Sequence, residues 1–150
     1  MYKRILVPVN GSRASAAGLH EAIELAREHG VRMQLLHVID KRTVAGTSLG
    51  GYGAAGLCDT MAKKSMAILD RARAVAQKEG VEVDEAVYRF SGDRVARAIL
   101  AEVEKSRSDL VVIGRRAYSP LSRIFHRCDA DLLTREARVP VLVVHVDDSR

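Results

Sequence analysis

The stretch Asp109-Leu-Val-Val-Ile-Gly114, followed by Arg115-Arg116-Ala117-Tyr118-Ser119-Pro120, decides how this chain is read. A short apolar run that ends in glycine and a turn predicts a buried strand delivering its chain to a site. A second run of this kind, Ile5-Leu-Val-Pro-Val9, ends in the turn Asn10-Gly11-Ser12. Pro8 cannot donate to a sheet ladder, so it belongs near that strand's end.

Helical and extended patterns alternate around these two runs. With Ser12 or Ser15 as cap, Leu19, Ile23 and Ala26 repeat on one helical face and Gly30 ends the helix. Residues Val31 to Ile39 predict a strand, and Lys41 to Leu57 a long Gly-rich loop of the kind that is functional or mobile. Met61 to Lys78 predicts a helix with Ala62, Met66, Leu69, Ala72 and Ala76 on one side and Gly80 as its stop. Val81 to Phe90 mixes valines with charges, as a half-exposed edge strand does. Ser91-Gly92-Asp93 then opens a helix carrying Val95, Ile99 and Val103. Asp129 to Ala137 is a short helix, Val139 to Val146 the last strand, and Asp147 to Arg150 a polar tail.

Such alternation predicts an open, doubly wound parallel sheet with helices on both faces, in one domain over residues 1–150. The two most apolar strands, the first and fourth, are its expected centre. If the chain winds outward in opposite directions from them, their turns meet at a switch point, beyond whose carboxyl ends ligands bind.

Composition narrows the function. The chain is 47% apolar and 29% charged, a globular balance, and no run approaches the roughly 18 apolar residues of a membrane span. The N-terminus reads as a strand rather than a signal peptide, so the expected compartment is the cytoplasm. Net charge is +5, but aromatics are 4% with no tryptophan, so there is little to stack bases on and nucleic acid is not the expected partner. Cys58 and Cys128 are expected as separate reduced thiols, and the scattered histidines have no metal-ligand spacing.

Gly51-Tyr-Gly53-Ala-Ala-Gly56, with Asp70 beyond it, matches a dinucleotide fingerprint in letters only. It does not follow a strand directly, and Asp70 lies in mid-helix, so the stretch reads as a flexible loop. Ser12 has no partner histidine or acid, and Asp109 lies at the wrong end of its strand. No catalytic residue is nominated. The positive feature is charge: Arg115, Arg116, Arg123 and Arg127, with His126, crowd the segment after the fourth strand. Their guanidinium forks suit phosphate or carboxylate. They equally suit solvent, or acids such as Asp129 and Asp131.

Ile5-Leu-Val-Pro-Val-Asn-Gly-Ser12, the His37-Val38 strand end, Asp109-Leu-Val-Val-Ile-Gly114 and Val139-Pro-Val-Leu-Val-Val144 together resemble the universal stress protein family. The resemblance implies an adenine nucleotide alpha hydrolase-like fold with five parallel strands in the order 3-2-1-4-5. It also implies a homodimer through the last strand, Val141 to Val144. One branch of that family binds ATP through G-x2-G-x9-G-[ST] and an aspartate after the first strand. Gly114 fills the first loop position, but Ala117, Arg127 and Cys128 fill the others, and Asn10 replaces the aspartate. Arg127 cannot easily copy a glycine that brings backbone against phosphate, and a thiol is a poor donor.

The expected function is therefore a non-enzymatic, dimeric stress-response module of the non-ATP-binding branch, with no cofactor. The alternative is an adenine-nucleotide (ATP or AMP) regulator or slow ATPase, with Mg if ATP. Were a nucleotide or other anion bound, the candidate residues are Pro8, Val9, Asn10, Val38, Gly114, Arg116, Ala117, Arg127 and Cys128.

Overall fold

Five parallel strands form a sheet in the order β3-β2-β1-β4-β5. The computed structural model describes residues 1–42, 54–116 and 129–147. The strands are β1 (Arg4–Pro8), β2 (Arg32–Asp40), β3 (Val83–Ser91), β4 (Leu110–Arg116) and β5 (Val141–Val146). The helices are α1 (Arg13–His29), α2 (Ala54–Lys78), α3 (Val95–Ser106) and α4 (Asp129–Glu136). As expected, β1 and β4 are neighbours, with Ile5 opposite Leu110 and Leu6 opposite Val111.

Strand alternation sorts the core into two layers. Ile5, Val7, Met33, Leu35 and Val112 face Leu19, Ile23 and Ala26 of α1 and Leu69, Ala72 and Ala76 of α2. Leu6, Leu36, Val111 and Ile113 face Ala96, Ile99 and Val103 of α3 and Leu132 and Leu133 of α4. Burying both faces is what lets the central strands be apolar throughout.

Local chemistry sets the ends of the elements. Ser12 caps α1 by accepting from the Ser15 N–H at 3.1 Å, and Gly30 closes the helix in the left-handed region at φ 64°. Pro8 is the last residue of β1, where its missing donor costs least.

Three expectations need correction. The loop expected from Lys41 to Leu57 ends earlier, because α2 begins at Ala54; residues 43–53 lie outside the described residues. Gly114, Arg115 and Arg116 are not yet a turn. They continue β4, opposite Val144, His145 and Val146, because β5 supplies a partner for their backbone. Met66 is 53% exposed. Ser65 takes the core position instead, its hydroxyl satisfied by donating to the Met61 carbonyl.

Candidate functional site

Each helix returns antiparallel to its strand, so helix N-termini gather at the strands' carboxyl ends. The turn after β1 and the end of β4 meet there. Val9 extends the ladder past Pro8 by donating its N–H to the Leu36 carbonyl at 2.8 Å. The Val9 carbonyl lies 2.8 Å from His37 Nδ1. A carbonyl only accepts, so His37 carries its proton on Nδ1 and donates. The sequence marked His37 only as a strand end; its tie to the β1 turn depends on strands brought together by the fold.

Asn10 lies on the exposed rim. Its side-chain oxygen accepts from the Ser12 N–H at 3.0 Å, and its own N–H donates to Ser15 Oγ at 2.9 Å. The asparagine oxygen is thus engaged in shaping the turn. Val38 is half-buried and packs on the α3 and α4 side. Gly114 sits against α1: a β-carbon there would run into the Ala14 carbonyl oxygen and carbon. Packing alone therefore requires a glycine at this position.

The arginines divide. Arg115, only 14% exposed, pairs with Asp131 of α4 at 3.0 Å, as the acid-pairing alternative anticipated. Arg116 is exposed at the end of β4. Ala117, Arg123, His126, Arg127 and Cys128 lie outside the described residues.

A wider charge cluster extends along the same edge. Arg94 Nε lies 3.6 Å from Asp129 Oδ1, and the same oxygen accepts from the Ala96 N–H at 3.2 Å. Since α3 has no side-chain cap of its own, Asp129 of α4 supplies one. Asp40 holds the Arg42 guanidinium pKa above its ordinary value by hydrogen bonding, with weaker contributions from Asp93 and Asp129. Among the described residues, no group of three or more His, Cys, Asp and Glu side chains could hold a metal. Nor, among them, is any helix long and apolar enough to cross a membrane.

A nucleotide's phosphates would need bare N–H groups and uncommitted positive charge at this edge. The described residues fit that demand poorly: Arg115 is paired, and carboxylates stand at the starts of α3 and α4.

An open parallel sheet in this order, with its switch point between β1 and β4, defines a doubly wound class of α/β protein. The sequence makes this more specific: residues 1–145 match the model of the universal stress protein family, and the chain belongs to that family. It is 29% identical over 150 residues to universal stress protein YxiE of Bacillus subtilis, covering 96% of this chain and 99% of that one. It is similar in structure to a universal stress family protein from Burkholderia pseudomallei, with TM-score 0.74 and 26% identity over 95% of this chain and 96% of that one. The Archaeoglobus fulgidus universal stress protein in complex with dAMP shares the fold, with TM-score 0.67 and 22% identity over 95% of this chain and 98% of that one.

Proposed function

We propose that this protein is a non-catalytic, homodimeric stress-response module, one domain over residues 1–150, acting in the cytoplasm through protein contacts. In this reading its crevice does not bind ATP in the family's usual way. One observation carries it: two polar groups described at the switch point are already engaged with the protein itself. Arg115 is paired with Asp131, and the Asn10 oxygen accepts from the Ser12 N–H. The replacements at Ala117, Arg127 and Cys128 point the same way. Dimerisation runs through β5, whose outer edge is apolar and has no strand partner within the sheet.

The second reading is an adenine-nucleotide regulator or slow ATPase, with Mg if ATP. It is favoured by the dAMP that the Archaeoglobus relative holds in the same fold. In this reading Val38, Asn10 and Gly114 lie around base and ribose, and the arginines replace glycine contacts to phosphate. Equilibrium dialysis against labelled ATP with Mg separates the two. The first reading expects no saturable uptake; saturable uptake that disappears in Arg127→Ala establishes the second.

A further inference from the structure

Two carboxylates on the first turn of α4 hold the ends of other elements at the crevice. Asp129 reaches across to α3, taking the Ala96 N–H at 3.2 Å and facing Arg94 Nε at 3.6 Å. Asp131 takes Arg115 of β4 at 3.0 Å. The arginine side chains are 25% and 14% exposed and the carboxylates 44% and 55%, so the pairs stand at the surface with their acids facing an approaching solute.

Helix N-termini attract anions, as do arginine forks. At the carboxyl edge α1 is capped by the neutral hydroxyl of Ser12, and its first turn holds no acid. By contrast, α3 receives the Asp129 carboxylate and α4 begins with Asp129 and Asp131. The protein thus supplies its own anions beside two helix starts and two guanidinium groups.

We propose that Asp129 and Asp131 are specificity residues that act as built-in counter-anions and exclude polyphosphate from the crevice. This rests on the reading that the crevice does not bind ATP in the usual way, and it assigns a cause within the described residues. A phosphate chain approaching Arg94 and Arg115 meets two fixed negative charges and must displace them. Like-charge juxtaposition of this kind disfavours a partner without any steric block. The crevice is left open to ligands, or ligand portions, that carry little negative charge.

The test uses the full chain and sodium tripolyphosphate, measured by titration calorimetry. Asp129→Asn keeps an oxygen that can accept from Ala96, and Asp131→Asn keeps one facing Arg115, so the fold is retained while two charges leave. The double variant is expected to bind tripolyphosphate roughly tenfold tighter or more than the parent, like-charge removal being worth that order. Asp70→Asn with Glu104→Gln, an equal charge change on exposed helix faces, is expected to match the parent. Equal affinity in the Asp129/Asp131 variant and the parent overturns the inference, as does an equal gain in the control. If the double variant melts too early to titrate, Asp129→Asn alone decides, by the same comparison. Saturable binding of Mg-ATP by the parent would instead overturn the non-ATP reading, so the two failures are separable.

Discussion

Gly18 of α1 and Gly114 of β4 meet backbone to backbone. A β-carbon on Gly18 would come within 2.5 Å of the Gly114 nitrogen and 3.0 Å of the Ile113 carbonyl carbon. That approach brings the first turns of α1 over the end of β4. Neither neighbour is a flexible side chain that can swing aside. Gly18→Ala gains helix propensity of about 1 kcal/mol but incurs an overpacking cost of about 1–3 kcal/mol. A net loss is expected in urea unfolding. Gly114→Ala, facing the Ala14 carbonyl, is expected to lose about 3 kcal/mol, the upper end of that range.

Glu102, 3% exposed, is held between Gln34 Nε2 at 2.9 Å and Arg89 Nε at 2.9 Å. Gln34 is itself fully buried, and its side-chain oxygen has no hydrogen-bond partner among the described residues. This polar group lies just beyond the register irregularity between β2 and β3, where it opposes slippage of the edge strand. Glu102→Ala leaves the Gln34 amide nitrogen without its acceptor and Arg89 without its counter-charge. A loss of about 3 kcal/mol is expected, the low end for a broken buried pair because Arg89 regains water. Chemical denaturation at pH 7 measures it.

Asp109 fastens β1 to the α3–β4 turn. Its carboxylate accepts from the Lys3 N–H at 2.8 Å and the Arg4 N–H at 3.0 Å. Partial burial pushes the Asp109 pKa up, but the Arg4 and Lys3 amides outweigh it and hold the pKa below the ordinary value. A depressed carboxylate contributes stability that is complete above its unfolded pKa, about 3.9, and is lost as pH falls through the folded value. The urea midpoint should therefore fall below about pH 4, and Asp109→Asn should fall less steeply over that range while starting lower at pH 7.

Leu142 is the residue of β5 with which to test pairing between copies. Val141 and Val143 pack toward α3 and α4, whereas Leu142 remains 37% exposed. If the proposed β5 dimer forms, Leu142→Asp is expected to convert it to monomer in light scattering without changing the far-ultraviolet spectrum. An unchanged dimer would exclude this edge as the interface.

The strand runs and caps were legible because each rests on local chemistry: β-branched runs, Ser12 before α1, Gly30 after it; the strand order came from the family resemblance. What was not legible depends on elements meeting. Nothing local distinguishes Gly18 from any glycine inside a helix, since its role arises only where α1 crosses β4. Ser65 was passed over for Met66 because hydropathy ranks the methionine first, although the serine satisfies itself on the helix backbone. Glu102 reads as a surface acid until Gln34 and Arg89 arrive from two strands. The arginine cluster was visible; that Asp131 claims Arg115 could only be anticipated as one of two alternatives.

The departures at Asn10, Ala117, Arg127 and Cys128, with the engaged groups around Gly114, converge on one consequence for ATP. Thermal melting with and without saturating Mg-ATP tests it most directly. A ligand at 100 times its dissociation constant stabilises by about 2.7 kcal/mol, a rise of roughly 5–10 °C for a chain of this size. A crevice without the phosphate cradle leaves the melting temperature unchanged; a rise of that size would contradict it.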